Sequence, residues 1–284
     1  MTRRGFAIVL SSLLAACTPL AAFNRLAPRD PATRGPRDVA YGDDPRQRLD
    51  LYAPAQRSAR AVPLLVFFYG GAWNSGRRQD YAWVGQALAA QGYVVAVVDH
   101  RLVPQVHFPA FVEDGARAVA KARQLAPSLG GDPDRVVLAG HSSGAYVASM
   151  LALAPRYLAA AGVDRSVVKA FAGLSGPYDF YPFDVPASVD AFGQAPDPRM
   201  TQPVNLDLAG APPVFLGHGS KDETVRVRNS ESLAHALSAA GDPVEFRVYP
   251  GLDHKDAVLA LSKPFRGKAP VMADMMAFLH AHGV

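Results

Sequence analysis

Cysteine is almost missing from this chain. Cys17 is the only one among 284 residues, so no internal disulfide can staple the fold. Long apolar runs are scarce too, and the N-terminal run at residues 5–16 is too short to span a bilayer. Neither sign of charge dominates: 29 Lys and Arg against 25 Asp and Glu leave a formal net charge of +4. No basic cluster is interleaved with aromatic residues that could stack on bases, which excludes nucleic acid as a partner. Internal repeats and low-complexity tracts are absent as well. The length suits one domain with a full core and leaves no room for a second catalytic one.

What the chain does contain is a strand–turn–helix signal at Gly140-His141-Ser142-Ser143-Gly144. The preceding run Arg135-Val136-Val137-Leu138-Ala139 is nearly all apolar, as expected of a parallel strand covered on both faces, and residues 145–154 are good helix formers. A serine on such a tight turn is held in a strained conformation that lifts its hydroxyl clear of the sheet, and small neighbours make the turn possible. Ser142 is therefore a candidate nucleophile.

A serine hydroxyl needs a general base within reach and a carboxylate to orient that base. The apolar run Pro213-Val214-Phe215-Leu216 leads to Asp222, and the alternating segment Val244-Glu245-Phe246-Arg247-Val248-Tyr249 leads to His254. Each sits just past the carboxyl end of a strand. The chain order serine, acid, histidine then resolves onto three successive strand ends. Asp253, Asp179 and Asp207 are rival acids; His218 is a rival base, but it precedes the acid. The amides needed to hold a developing oxyanion are expected from Gly71 and Ala72, in the turn after the apolar run Leu64-Leu65-Val66-Phe67-Phe68, and from Ser143.

The same motifs, taken in order, resemble the α/β-hydrolases of the bacterial carboxylesterase group, related to hormone-sensitive lipase, feruloyl esterases and kynurenine formamidases. The resemblance rests on Arg48-Leu49-Asp50-Leu51-Tyr52, Tyr69-Gly70-Gly71-Ala72-Trp73, and Val98-Asp99-His100-Arg101-Leu102 followed by Phe108-Pro109-Ala110. After these come the elbow, Gly176-Pro177-Tyr178-Asp179, and the acid and histidine loops. It covers roughly residues 37–282. Two positions depart from it: Tyr69, where a histidine is usual, and His100, where a tyrosine is usual.

The expected architecture is an α/β-hydrolase fold: a mostly parallel central sheet of about eight strands with helices on both faces. Helices are expected over residues 79–90, 110–126, 143–154, 227–240 and 270–282. In the second, Val112, Ala116, Val119 and Ala120 should face inward, with Glu113 placed to pair with Arg117. Between residues 176 and 211 the periodicity is lost and prolines recur, which suggests a small cap over the site. With that cap in place, Trp73, Tyr146, Tyr178 and Phe180 are candidates for a substrate pocket, the alternative being plain core.

The N-terminus reads as a targeting segment, with Arg3 and Arg4 ahead of the apolar run. Leu13-Leu14-Ala15-Ala16-Cys17 resembles a bacterial lipobox, which implies removal of residues 1–16 and acylation of Cys17. The alternative is ordinary cleavage near Ala22. Residues 17–36 would then be a lipid-anchored tether to a hydrolase domain at 37–284. The protein would be held in the bacterial envelope facing the periplasm, with the outer membrane favoured by resemblance at Thr18.

These features together lead to an expected serine esterase acting on small carboxylic esters, its partners being a small-molecule ester and a membrane surface. Neither a metal nor an organic cofactor is implied. An arylformamidase-like amidase and a non-catalytic hydrolase-fold lipoprotein are the other two readings.

Overall fold

The run Val-Val-Ala-Val-Val at residues 94–98 is apolar at every position and buried throughout, as a strand covered on both faces must be. In the computed structural model, which describes residues 19–284, it lies inside a nine-stranded sheet. The strands are β1 (Ala32–Arg34), β2 (Val39–Ala40), β3 (Arg48–Pro54), β4 (Val62–Phe68), β5 (Val94–Val98), β6 (Gly131–His141), β7 (Val168–Leu174), β8 (Val214–Gly219) and β9 (Val244–Tyr249). Their spatial order is β1-β3-β5-β4-β6-β7-β8-β9, with β2 paired to β3 off that path. Pairing is parallel from β5 across to β9, and the antiparallel pairs are β1–β3, β2–β3 and β3–β5.

The helices are α1 (Pro19–Leu26), α2 (Ala82–Ala89), α3 (Ala110–Leu125), α4 (Ser143–Leu153), α5 (Arg156–Ala160), α6 (Pro186–Phe192), α7 (Arg228–Ala240), α8 (His254–Leu259) and α9 (Val271–Ala281). The two-residue side-chain period of β4 divides the core between the sheet's faces. Leu64, Val66 and Phe68 pack in one cluster with residues of α3 and α4, such as Val112 and Val147. Leu65 and Phe67 pack in the other with Val84 and Leu88 of α2 and Met275 and Leu279 of α9.

Two local expectations need correcting. The segment expected as a helix over 79–90 begins with a 3₁₀ turn, Arg78–Tyr81, and α2 starts only at Ala82. In α3, Val112, Ala116 and Val119 are buried as expected, but Arg117 pairs with Asp114 rather than Glu113. Asp114 is fully buried and also takes Arg101 (2.8 Å) and Gln47 (2.8 Å) as partners. A buried carboxylate attracts every available donor, and this one draws Arg117 away from its solvated neighbour.

Residues 176–211 contain α6 and two 3₁₀ turns, Pro198–Thr201 and Pro203–Asn205. Phe180, Phe183 and Phe192 from this segment pack on one another, with Phe180 and Phe192 also against Trp73 and Tyr146. The carboxyl ends of β4, β6, β8 and β9 meet on one edge of the sheet, and the four functional loops begin there.

Candidate active site

β6 delivers the chain into Ser142 with φ 56° and ψ −129°, and α4 starts at the next residue. A non-glycine residue in this region is strained and persists only where its surroundings hold it. One such restraint is the hydrogen bond from the Ser142 N–H to the Leu174 carbonyl (2.9 Å). Another is the seating of α4 on β4. A Cβ added to Gly144 would lie 2.1 Å from the Phe68 carbonyl oxygen, so any side chain there would push the helix off the strand. Gly70 is needed for a similar reason, since its Cβ would meet Ser142 Cβ at 2.8 Å.

The structure brings Ser142, His254 and Asp222 into one line. His254 Nε2 lies 2.9 Å from Ser142 Oγ, and His254 Nδ1 lies 2.8 Å from Asp222 Oδ2. Asp222 Oδ1 accepts from the N–H groups of Thr224 (3.0 Å) and Val225 (2.8 Å). Burial alone would raise the Asp222 carboxyl, but hydrogen bonds from His218, His254 and the Val225 N–H hold it well below the usual carboxylate range. It is therefore an anion at any pH where the protein would work.

Two of the rival acids and the rival base have other partners. Asp253 caps α8 through the N–H groups of Lys255 and Asp256, and Asp207 accepts from Ala209 N–H within its own turn. The Asp179 N–H is fixed by Asn229. His218 is fully buried behind Asp222: its Nδ1 is 2.8 Å from Ser230 Oγ, its Nε2 is 2.7 Å from the Val225 carbonyl and 3.3 Å from Asp222 Oδ2. It packs against Asp222 and bonds Ser230 and Val225, whereas His254 is the histidine that meets Ser142.

The three amides expected to hold an oxyanion are not equally free. The Gly71 N–H donates to Ser143 Oγ (3.0 Å) and is not free. Among the described residues, no acceptor takes the Ala72 or Ser143 N–H. Ser143 opens α4, whose unsatisfied N-terminal amides carry partial positive charge. Ala72 and Trp73 both have positive φ, 49° and 59°, so the loop is bent sharply beside Ser142.

The two departures from the family pattern turn out to be neighbours. The Tyr69 and His100 rings stack 6.0 Å apart at 14°. The Tyr69 hydroxyl donates to Asp99 Oδ1 (2.6 Å) and accepts from Arg46 Nη2 (2.8 Å), while Arg46 Nε holds the His100 carbonyl (2.9 Å). Burial and the Asp99 carboxylate push the Tyr69 hydroxyl well up, which keeps it a donor. Asp99 is anchored in turn by the buried Arg78, which also binds Asp50 (2.9 Å). The oxyanion loop thus starts from a residue clamped by a buried ionic network.

One contributor was not singled out in the sequence although it sits inside the elbow motif. His141 is buried, and its Nε2 donates to the main-chain carbonyl of His254 (2.8 Å), with the two rings 4.8 Å apart. A carbonyl only accepts, so Nε2 must carry the proton and Nδ1 is bare. Burial, reinforced by the nearby His254, lowers the His141 pKa to about 3. The folded protein then refuses a proton that the unfolded chain accepts between its ordinary value near ~6.5 and about 3. The stability His141 contributes is present above that window and is lost as pH falls through it, by up to roughly 1.4 kcal/mol per pH unit. His141→Gln, which keeps a donor without a titrating ring, is expected to flatten the decline in urea stability between pH 6.5 and 4.5. Parallel declines for the two proteins would refute this assignment.

Ser142 opens onto a cavity of about 600 Å³. It is lined by Gly70, Gly71, Ala72, His141, Ser142 and His254 together with Phe23, Tyr81, Val258, Leu259 and Phe265. Trp73, Tyr146, Tyr178 and Phe180, expected as pocket lining, do not reach it. Tyr146 and Tyr178 are fully buried and Trp73 nearly so. Trp73 packs 4.8 Å from Phe192 and 5.6 Å from Tyr146, and Tyr178 lies over Phe171 at 6.2 Å. The rings of residues 176–211 can leave water only by packing on that side of the sheet, so these residues form core. No residue of that segment lines the cavity. Cys17 lies outside the described residues. Among the described residues, no three His, Cys, Asp or Glu side chains gather as a metal-ligand group.

The BD-FAE family model matches residues 49–237. The isoprenylcysteine alpha-carbonyl methylesterase ICME of Arabidopsis thaliana is 32% identical over 86% of this chain and 62% of its own length. The chain thus spans about 62% of the length of that curated relative. The carboxylesterase NlhH of Mycobacterium tuberculosis is 30% identical over 78% of this chain and 75% of its own. Among solved structures, Esterase B from Lactobacillus rhamnosis, inhibited by a tributyrin phosphonate, superposes with a TM-score of 0.79 at 22% identity, covering 93% of this chain and 91% of that one. At that identity the likeness speaks to the fold.

Proposed function

The chain belongs to the BD-FAE family, within the carboxylesterase group of α/β-hydrolases, and we propose that it is a serine carboxylesterase working through an acyl-enzyme. The observation that carries this reading is the unbroken line from Ser142 Oγ through the His254 ring to Asp222 Oδ2, at 2.9 and 2.8 Å. Ser142 Oγ adds to the ester carbonyl carbon as its proton passes to His254 Nε2. The carbonyl oxygen becomes an anion held by the N–H groups of Ala72 and Ser143, joined by Gly71 when the Ser143 hydroxyl turns away. The carbon–oxygen bond to the alcohol then breaks, and the alcohol leaves with the proton from His254. Water gives a proton to the same nitrogen and attacks the acyl carbon, which releases the acid and restores the Ser142 hydroxyl. Asp222 stays ionised throughout and holds His254 in the tautomer that leaves Nε2 free to accept.

The names of the relatives share the ester bond and nothing narrower. We further propose that the protein is tethered to the bacterial envelope through an acylated Cys17 and faces the periplasm, with outer-membrane residence favoured. The Leu13-Leu14-Ala15-Ala16-Cys17 pattern supports this. No described helix is long and apolar enough to cross a membrane.

The test is covalent labelling. A fluorophosphonate is expected to modify one residue, Ser142, when adducts are mapped by peptide mass spectrometry, and prior labelling should abolish turnover of 4-nitrophenyl butyrate. A label on Ser143 or Ser175 would reassign the nucleophile. Turnover of an N-formyl aryl amide but of no ester would replace the esterase by an amidase, and no label with no turnover would leave a binding module.

A further inference from the structure

The segment between Cys17 and the first strand reads in the sequence as a proline- and arginine-rich tether, yet part of it is built into the active-site cavity. Phe23 of α1 lines that cavity. Its ring stacks on Phe265 (5.6 Å) and meets Trp83 edge-on (5.3 Å). α1 is also tied down by polar contacts: Asn24 Nδ2 donates to the Gln79 carbonyl (2.7 Å), just before α2. The chain that follows is held by an ion pair between Asp30 and Arg266 (2.9 Å). These partners lie on two separate parts of the chain, residues 79–83 and 265–266, so α1 and the chain after it are seated on the domain at several points rather than by a single aromatic contact.

We propose that α1 is a specificity element of the esterase and that Phe23, with Phe265, Leu259 and Val258, forms the binding wall for a hydrocarbon arm of the substrate. The occupant is the apolar chain of a medium- or long-chain carboxylic ester. This inference rests on the esterase reading and names its substrate class. Ser142 and this wall line the same cavity, so an ester whose carbonyl sits at the oxyanion amides would have its chain within reach of the wall. Lys268 Nζ lies over the Phe265 ring at 5.2 Å, but it pairs with Asp256 and does not line the cavity. Lys255, the only charged residue among the cavity's lining, is exposed beside His254. A volume near 600 Å³ is far more than an acetyl group needs and falls within the range of sites for drug-sized ligands. Each methylene buried there is worth about fourfold in binding. The anchor proposed at Cys17 would place Phe23 six residues from the acylated end, near the lipid in which such esters dissolve.

The experiment compares kcat/KM of full-length wild type, Phe23→Ala and Phe23→Trp on 4-nitrophenyl acetate, butyrate and octanoate, with fluorophosphonate labelling of Ser142 run in parallel. In wild type, kcat/KM is expected to rise from acetate toward the longer esters. Phe23→Ala should lower the octanoate-to-acetate ratio roughly tenfold, mainly through KM. Phe23→Trp, which narrows the arm while keeping the aromatic packing, should move the optimum to a shorter chain. Unchanged ratios in both variants would overturn the proposal, as would an equal fall on all three esters, which would mark α1 as a support of the fold only. Failure of wild type to label at Ser142 would remove the esterase reading itself, and this inference with it.

Discussion

Ser142→Ala is expected to lower kcat/KM for 4-nitrophenyl butyrate by about 10⁴-fold or more while leaving the protein folded. The size follows from what remains. The oxyanion amides and the cavity still bind the ester, but no atom within reach can form the acyl-enzyme, and water attacking directly gains only from positioning and charge stabilisation. Folding should be nearly untouched, because alanine and serine carry the same Cβ into the strained φ of 56°. The Oγ makes one hydrogen bond, to His254, whose loss costs about 1 kcal/mol. The control is Ser143→Ala. It removes the acceptor that now occupies the Gly71 N–H and releases that amide toward the oxyanion, so activity should stay within about tenfold of wild type, less than one missing oxyanion donor costs. If Ser143→Ala were the inactive variant and Ser142→Ala the active one, the elbow would have been read one residue out of register.

The elbow was legible because its constraints are local. A strained serine flanked by glycines, after an apolar strand and before a helix, can arise in few other ways, and here each part lies where the pattern requires. The positions of Asp222 and His254 were legible for a related reason: each follows a strand end, and strand ends in a parallel sheet share one edge. Asp253 could be separated from Asp222 only by the structure, since both are turn carboxylates and only helix α8 reveals that Asp253 is a cap.

What the sequence hid was pairing across distance. His141 stands inside the quoted motif, yet its partner is a main-chain carbonyl 113 residues away, and no pattern of side chains encodes a backbone acceptor. The aromatic residues of 176–211 satisfy a pocket and a core equally well in composition; which they form depends on whether an open cavity lies in front of them. α1 is the sharpest case. Prolines and arginines around it match a linker, and one phenylalanine within eight helical residues gives no periodic signal. Its docking is visible only against Trp83 and Phe265, which are distant in sequence.

Asp222→Asn is expected to cost about 10⁴ in kcat with little change in fold, although the substitution is nearly isosteric. The reason lies in how the carboxylate is held. Oδ1 accepts from the Thr224 and Val225 N–H groups at 3.0 and 2.8 Å, and an NH₂ group cannot take that place without facing two donors. The amide must therefore keep its oxygen there and turn its NH₂ toward His254 and His218. An NH₂ facing His254 Nδ1 forces that nitrogen to accept, so the proton moves to Nε2 and the ring presents a donor where Ser142 needs an acceptor. The base is then in the wrong tautomer, and the charge that stabilised its protonated form is gone. His218 feels the same change less, because its Nε2 proton already has the Val225 carbonyl at 2.7 Å. The signature is a kcat loss with KM nearly preserved, recovered in part at high pH, where the Ser142 hydroxyl depends less on the base. Asp222→Ala, which leaves the two amides unsatisfied, should lose stability as well. If Asp222→Asn kept wild-type kcat at neutral pH, Asp222 could not be the residue that sets the tautomer of His254, and the acid would have to be sought elsewhere in the loop.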